Sequence, residues 1–255
     1  MPLEIVTIPC LTDNYAYLAH DPATGATAVV DVPEAAPILN ALRERDWRAS
    51  HILITHHHGD HIDGVETLAA ATGARVIGAA ADAHRLPPLT EAVSEGDIVR
   101  IGMSAGEVIE VPGHTVGHIA FYFPDSAVVF TADSLMGLGC GRLFEGSAAQ
   151  MWESLSKLAA LPRETLVCSG HEYTQSNGRF ALTIEPDNPA LISRVKAVAE
   201  AREMGRATVP SRLGEELETN PFLRANLPAV KHLIGMDGAS DVECFAEIRA
   251  RKDRF

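Results

Sequence analysis

The sequence predicts a mixed α/β domain followed by a smaller, mostly helical domain. Up to about residue 173, short runs rich in β-branched and aromatic residues alternate with segments of helical periodicity, as in layered α/β proteins. Beyond that point no convincing strand is found, and helix-capping residues open one segment after another. We therefore predict an α/β domain over residues 1–173 and a helical domain over residues 174–255.

Turn residues separate the opening strands, which we place at 3–9, 14–20 and 26–32. A helix at about 34–46 follows, and the aliphatic run at 50–55 is predicted to be a buried strand. The remaining strands of the first domain are predicted at 75–77, 97–101, 106–111, 118–123, 127–131 and 165–169, and its other helices at about 63–72 and 148–160.

Capping residues predict where several helices begin. Ser147 with Gln150, and Ser240 with Glu243, have the spacing of a capping box, in which side chain and backbone satisfy each other at the first turn. Two further helical segments are predicted to open at Asn188 and Ser211.

Composition excludes several classes of partner. A formal net charge of −13 disfavours binding to nucleic acid or to an anionic membrane surface. No stretch approaches the roughly 20 apolar residues that span a bilayer, and the N-terminus lacks a signal-peptide pattern. The four cysteines have no CxxC spacing, which argues against a disulfide framework. We predict a cytoplasmic, monomeric protein that acts on a small molecule.

The densest functional signal is the run from Thr55 to His61, directly after the predicted strand at 50–55. Imidazole and carboxylate groups suit zinc, iron and manganese, and a two-metal site needs many such ligands. His56 and His58, two residues apart, are predicted to converge on one ion. Asp60 and His61 face a different direction and suit a second ion. His57 points away by alternation and is predicted to be a spacer or a hydrogen-bond donor behind the ligands.

Three more candidate ligands each lie just past a predicted strand: His114, Asp133 and His171. Loops at one edge of a sheet converge, so these residues can meet the first run there. Asp133 is the best bridge, since a carboxylate offers one oxygen to each ion. His118 is ambiguous, and we favour a structural role for it. The other histidines have no further candidate ligands beside them in sequence, and we predict no metal-binding role for them: His20, His51, His84 and His232.

These motifs resemble the metallo-β-lactamase superfamily. The Thr-His-x-His-x-Asp-His run, the later Pro-Gly-His-Thr-x-Gly-His, the Thr-Ala-Asp and the Gly-His-Glu-Tyr-Thr carry the resemblance, which covers nearly the whole chain. It implies an αββα sandwich. The segments at 12–15, 139–146 and 220–224 are similar, more narrowly, to the glyoxalase II family, the hydroxyacylglutathione hydrolases.

The narrower resemblance implies hydrolysis of S-(2-hydroxyacyl)glutathione thioesters, typically S-D-lactoylglutathione to glutathione and D-lactate, the second step of methylglyoxal detoxification. It implies two divalent metal ions, zinc by preference, with iron or manganese as alternatives. His56, His58 and His114 would hold the first ion. Asp60, His61 and His171 would hold the second, and Asp133 both. Asp60 and Asp133 would thus be the catalytic carboxylates.

The resemblance also implies a set of glutathione-binding residues: Arg142, Phe144, Tyr173, Arg249 and Lys252. Arg249 and Lys252 fall three apart on the predicted last helix, hence on one face. The family commonly has lysine at the position of Arg142 and tyrosine at that of Phe144. Gly59 replaces a frequent tryptophan and Ala132 a frequent glycine. These departures bear on substrate affinity more than on chemistry.

Other functions remain open on the sequence alone. A glutathione persulfide dioxygenase would use one iron and leave Asp60 and His171 without a role as ligands. Another hydrolase of the same fold, such as a lactonase or a lactamase, would lack a purpose for the basic pair in the last helix. A metal-binding module without activity is a third alternative.

Overall fold

The computed structural model describes residues 2–255, which fall into two units by the density of their internal contacts. The first unit comprises the residues up to Glu110 together with Gly117–Ala132. The second comprises Val111–Val116 and Asp133–Phe255. The predicted boundary at residue 173 rests on the change in sequence character, and it stays a prediction.

The first unit contains a six-stranded mixed sheet in which the strands follow their chain order. The first three strands pair antiparallel, and the third to the sixth pair parallel. Their bounds are β1 Glu4–Cys10, β2 Asn14–His20, β3 Ala26–Val30, β4 Arg48–Leu53, β5 Arg75–Ala79 and β6 Glu91–Val93. Because β3 and β4 are parallel neighbours, the residues that follow both strands lie at the same edge of the sheet.

A second, antiparallel sheet of the first unit runs in the order β7 to β10. Its strands are β7 Ile98–Ile101, β8 Ser104–Glu110, β9 Ile119–Phe123 and β10 Val128–Ala132. Alternate residues of β2 point to opposite faces. The ring of Tyr17 in β2 lies 5.8 Å from that of Phe130 in β10, so one face of the first sheet packs on the second.

Helices cover the other face of the first sheet: α1 Ala35–Glu44, α2 Gly59–Ile62 and α3 Val65–Thr72. Ile38, Val65 and Leu68 from these helices are buried in one cluster with strand residues such as Leu18 and Ile52. Burial of this apolar face is what fixes the helices on the sheet. The helix predicted at 63–72 begins later than expected, at Val65, and ends where predicted, at the left-handed Gly73.

The second unit is mostly helical. Its helices are α4 Ala148–Ala159, α5 Thr174–Ile184, α6 Pro189–Glu203, α7 Leu213–Thr219, α8 Pro228–Leu233 and α9 Asp241–Arg254. Its strands are the hairpin β11 Leu135–Met136 and β12 Gly139–Cys140 and the antiparallel pair β13 Leu166–Ser169 and β14 Ser211–Arg212. No helix in residues 2–255 combines the length and the apolar character needed to cross a membrane.

Three of the four helix starts predicted from capping residues are confirmed. Both capping boxes form, at Ser147 and at Ser240, and Asn188 accepts hydrogen bonds from the first turn of α6. The start predicted at Ser211 is wrong. Ser211 belongs to β14, and its hydroxyl donates to Glu216 Oε1 at 2.6 Å instead of capping a helix. This two-residue strand also corrects the expectation that no strand follows residue 173.

Buried polar side chains of the helices hold the β11–β12 hairpin, which follows Asp133 within two residues. Glu216 is fully buried and accepts a hydrogen bond of 2.9 Å from Leu138 N. Asn177 Nδ2 donates to Gly137 O, and Asn220 Nδ2 donates to Gly139 O, each at 3.0 Å. The hairpin is therefore fixed by side chains that lie far from it in sequence.

Candidate metal centre

The first predicted ligand, His56, lies three residues after the end of β4 at Leu53, since the strand ends two residues earlier than predicted. His56 and His61 are buried, and His58 has an extended backbone at the start of α2. The rings of His56 and His58 lie 4.8 Å apart between centroids. Asp60 sits in the first turn of α2, with about half of its side chain shielded, since 43% remains exposed. The first unit thus holds four predicted ligands on one short segment.

Asp31, just after β3, orients two of these histidines through one carboxylate. Its Oδ2 lies 2.8 Å from His61 Nδ1 and also accepts a hydrogen bond of 2.8 Å from Thr55 Oγ1. The Thr55 hydroxyl lies in turn 2.9 Å from His56 Nδ1. Because this hydroxyl donates its one proton to Asp31, it accepts from His56. Both imidazoles are therefore held in the tautomer whose Nε2 carries the lone pair that a metal ion requires.

Asn14, at the start of β2, holds the carboxylate of the run. Its Nδ2 lies 3.0 Å from both the backbone oxygen and Oδ2 of Asp60. Asn14 is itself buried. These two bonds fix the direction of the Asp60 carboxylate, and they give Asn14 a role in the site in addition to its place at the start of β2.

The other three predicted ligands meet in the second unit. Asp133 Oδ2 lies 3.5 Å from His114 Nε2 and 3.4 Å from His171 Nε2. Donor atoms around a tetrahedral ion with bonds of about 2.1 Å are separated by about 3.4 Å. The spacing between Asp133 Oδ2 and each of the two histidines is therefore that of two ligands of one ion, and all three residues are buried.

His114 is also fixed from behind. Its Nδ1 lies 2.8 Å from the backbone oxygen of Arg142, so it donates there and presents Nε2 toward Asp133. Gly141 permits this approach, because a Cβ at that position would lie 2.8 Å from His114 Nδ1 and 2.1 Å from the backbone oxygen of Asp133. The segment that the sequence singled out at 139–146 therefore supports a ligand directly.

The donor set fits divalent metal ions. The described residues contain groups of three histidines and carboxylates whose ligand atoms lie within 4.8 Å of one another. Together these groups include Asp31 and six of the seven predicted ligands, namely His56, His58, Asp60, His61, His114 and His171. Nitrogen and carboxylate oxygen donors without thiolates suit zinc, iron and manganese.

Two of the histidines not predicted as ligands, His118 and His20, have other contacts. His118 is buried, stacks on His56 with centroids 4.6 Å apart, and has its Nδ1 3.1 Å from the oxygen of Ile119. This packing agrees with the structural role favoured for it. His20 is buried against Trp47, with its Nδ1 2.8 Å from Thr27 Oγ1.

Two of the predicted glutathione-binding residues lie against ligands of the second unit. The ring of Phe144, 63% exposed, stands edge-on to His114 at 5.3 Å. The ring of Tyr173, 37% exposed, stacks on His171 at 4.6 Å. Arg142 is exposed beside Phe144 in sequence. The rings of Phe144 and Tyr173 therefore combine solvent exposure with contact to predicted metal ligands.

Arg249 and Lys252 lie on α9, but their environments differ. Arg249 is 5% exposed, donates to the oxygen of Cys140 at 3.0 Å, and pairs with Asp253 at 2.9 Å. Lys252 is half-buried, with Nζ 5.3 Å from the centre of the Phe180 ring. Arg249 thus supports the β12 segment, whereas the ammonium of Lys252 has no hydrogen-bonded carboxylate among the contacts found in residues 2–255.

The ammonium of Lys252 belongs to a cluster of positive charge. Burial lowers the pKa of Lys252 to about 8, and the charges of Arg249, Arg179 and Arg142 act in the same direction. Asp253 opposes them. Four cations around one position favour an anionic ligand, which would relieve their repulsion. Sequence reasoning missed Arg179, because only the turn of α5 places it near α9.

The paired sheets, the His-x-His-x-Asp-His run after a buried strand, and the His–Asp–His cluster define a hydrolase of the metallo-β-lactamase fold. A family model for the metallo-beta-lactamase superfamily matches residues 18–171, and one for the hydroxyacylglutathione hydrolase C-terminus matches residues 172–255. The chain belongs to the hydroxyacylglutathione hydrolase family of that superfamily, as its relatives also show.

A hydroxyacylglutathione hydrolase from Cereibacter sphaeroides is 67% identical over 255 residues, which cover all of both chains. Among solved structures, ETHE1 from Myxococcus xanthus is 27% identical, with a TM-score of 0.67 over 98% of this chain and 90% of that one. The structure of TTHA1623 in a di-iron-bound form is 25% identical, with a TM-score of 0.63 over 86% of this chain and 100% of that one.

Proposed function

We propose that the protein hydrolyses thioesters between glutathione and a 2-hydroxy acid, typically S-D-lactoylglutathione, to glutathione and D-lactate. The observation that carries this proposal is the identity of 60–67% to hydroxyacylglutathione hydrolases along the full chain. The ligand clusters and the cationic cluster around Lys252 supply the two chemical features that such a reaction needs. It would serve as the second step of methylglyoxal detoxification.

Seven residues would hold two divalent ions. His56, His58 and His114 would bind one ion, Asp60, His61 and His171 the other, and Asp133 both. Bound ions of this kind lower the pKa of water to about 7 and polarise a carbonyl oxygen. Zinc is the proposed metal, and iron is an alternative that the di-iron form of TTHA1623 supports. Manganese suits the same donors.

Neighbouring side chains would orient these donors and determine which ring nitrogen of each histidine carries the proton. Asp31 and Thr55 keep the Nδ1 protons of His61 and His56 directed away from the ions. Asn14 keeps the Asp60 carboxylate in one direction, and the position of Asp133 between His114 and His171 suits a shared ligand. No serine or cysteine nucleophile is required, and burial raises the pKa of the Cys140 thiol to about 11.

The glutathione half would bind through residues of the second unit. The exposed rings of Phe144 and Tyr173 would contact the substrate beside the ligands on which they lie. Lys252, with Arg142 nearby, would bind glutathione carboxylates, and Arg249 would support this site from its buried position. The phenylalanine at 144 offers no hydroxyl, so it would act by packing alone.

Replacing Lys252 by methionine should raise KM for S-D-lactoylglutathione about tenfold and change kcat less than twofold, because a carboxylate contact remote from the reacting bond contributes to binding. Lys252 is preferable to Arg249 for this test, since Arg249 also holds the backbone at Cys140. Lys196→Met, at a lysine whose side chain is 80% exposed on α6, is the matched control. An unchanged KM in Lys252→Met would move the carboxylate site elsewhere.

KM should also depend on pH. With a pKa of about 8, Lys252 is charged below that value and loses its charge as the pH rises through it. At pH 7 most of the Lys252 side chains are charged, and KM for an anionic substrate is expected to be low. KM is expected to rise by about fivefold to tenfold by pH 9. Initial rates at several substrate concentrations measure this change. The substrate titrates in the same way in assays of Lys252→Met. An equal rise of KM between pH 7 and pH 9 in that variant would therefore refute the assignment to Lys252.

The alternative reactions are separable in one panel. The purified protein is given S-D-lactoylglutathione, a β-lactam, a lactone and glutathione persulfide, with product release followed for the first three and oxygen uptake for the last. We expect hydrolysis of the thioester to exceed the other reactions by at least about a thousandfold in kcat/KM. Oxygen uptake without thioester hydrolysis would favour the dioxygenase.

A cytoplasmic monomer remains our proposal for location and assembly. All four cysteines are buried and form no disulfide in the described chain, which fits a reducing compartment. Light scattering on the protein as it leaves a sizing column measures the assembly directly, with the 27.3 kDa chain mass expected.

A further inference from the structure

A second buried carboxylate lies beside the ligand run, outside the set described so far. Asp82, at the end of a short 3₁₀ turn after β5, is 1% exposed. Its Oδ2 lies 3.3 Å from His57 Nδ1. Its Oδ1 accepts hydrogen bonds from Arg85, at 3.2 Å from Nε and 2.6 Å from Nη2. The three side chains form a closed triangle, because Arg85 Nη1 also lies 3.3 Å from His57 Nε2.

The donors in this triangle fix the state of His57. A guanidinium can only donate, so His57 Nε2 must accept from Arg85. The proton of the ring is then on Nδ1, where it donates to Asp82. In each of these contacts a donor faces an acceptor. The negative charge of Asp82 is balanced by the positive charge of Arg85.

Asp82 also packs against the backbone at Gly117, directly before His118. A Cβ at Gly117 would lie only 2.1 Å from Asp82 Cγ, so this backbone passes directly over the carboxylate. The next residue, His118, stacks on His56 at 4.6 Å. Asp82 therefore contacts two segments that both lead to His56.

We propose that Asp82 is a positioning residue of the metal centre, which acts through His57 to aim the two neighbouring ligands. The ring of His57 stands edge-on to that of His58, with their centroids 4.9 Å apart. Holding His57 in place therefore positions His58, whose ring meets that of His56 at 4.8 Å. The inference rests on the proposed function, since it requires that these histidines bind an ion.

Asp82→Asn tests the proposal with little change in volume. The remaining oxygen would serve Arg85, and the amide group would face the Nδ1 proton of His57, placing donor against donor. Reversing the His57 tautomer would only move that conflict to Arg85. We expect the affinity for zinc, measured by competition with a chelator on folded protein, to fall about tenfold to a hundredfold.

The matched control is Asp21→Asn. Asp21 also anchors loops of the first unit, through Ala23 N at 2.9 Å, Thr24 Oγ1 at 2.9 Å and Met103 N at 2.7 Å. It follows β2 at the end opposite Asn14. Both variants should lower the melting temperature, but Asp21→Asn should change zinc affinity less than twofold. If Asp82→Asn and Asp21→Asn bound zinc equally well, Asp82 would contribute to folding stability and not to the metal centre.

A double variant tests the route through His57. If Asp82 acts through this ring, His57→Gln with Asp82→Asn should lose no more zinc affinity than His57→Gln alone. Fully additive losses would contradict the proposed route. The wild-type protein separates the two hypotheses: absence of bound metal there overturns the proposed function, whereas two bound ions with unchanged affinity in Asp82→Asn overturn only this inference.

Discussion

Replacing Asp133 by alanine is expected to lower kcat/KM for S-D-lactoylglutathione by at least about a thousandfold, the largest effect of any single substitution in the chain. The physical reason is the position of its Oδ2, within 3.5 Å of Nε2 in both His114 and His171. Loss of a carboxylate shared by two ions weakens both sites together. Metal content measured on the same sample should fall from about two ions per chain toward one or none.

The control for this substitution is Asp125→Ala, at an exposed aspartate in the short 3₁₀ turn between β9 and β10. It should leave rate and metal content unchanged. If Asp133→Ala kept a full metal complement and lost activity, the carboxylate would act on substrate instead of on the ions. Retention of wild-type activity would remove Asp133 from the site.

The second large effect is expected from Asp31→Asn, although Asp31 is not a predicted ligand. The amide nitrogen that replaces Oδ2 cannot accept from Thr55 Oγ1 or from His61 Nδ1, which both lie 2.8 Å away. His61 loses its orientation directly, and His56 loses it through Thr55. Zinc affinity should fall about a hundredfold, which is the upper end of the range of losses typical for residues that hydrogen-bond to metal ligands.

The same change should cost folding stability. It leaves buried donors without an acceptor, at about 1–3 kcal/mol for each group, so thermal unfolding of the metal-free protein measures a separate effect. Asp46→Asn provides the comparison, since Asp46 shares the left-handed backbone of Asp31 but is exposed. A variant at Asp31 that binds zinc as tightly as Asp46→Asn would show that the histidines need no support from this carboxylate.

Sequence patterns predicted much of the fold because they report local physics. The strand at 14–20 has the predicted bounds, and the capping boxes at Ser147 and Ser240 form as expected. In each case the signal lies within a few residues: alternation and turn residues for the strand, a serine and an acceptor three positions on for the helix.

The elements that were missed depend on distant partners. The β11–β12 hairpin is only two residues wide on each side, and Glu216 and Asn220, some 80 residues later, hold it in place. Ser211 has the chemistry of a helix cap, but Val167 offers it a strand partner and Glu216 a hydrogen-bond acceptor. Tertiary contacts of this kind override a local preference, and no short window contains them.

For the site, sequence reasoning found donors but not the groups that aim them. The seven predicted ligands are histidines and aspartates in distinctive motifs, so they can be read directly. Asp31 and Asp82 occur as single aspartates near strand ends, a common pattern. A clue for Asp31 exists, since it follows β3 just as the ligand run follows β4, and parallel neighbours end at the same edge. Asp82 offers no such clue.

The most direct test of the account joins metal content to thioester hydrolysis. The protein is stripped of metal with a chelator, freed of the chelator, and titrated with zinc while S-D-lactoylglutathione hydrolysis and bound zinc are measured on the same samples. We predict that activity disappears on stripping and returns as zinc is added, reaching its maximum at about two ions per chain. Full thioester hydrolysis by protein with no bound metal would contradict the central claim.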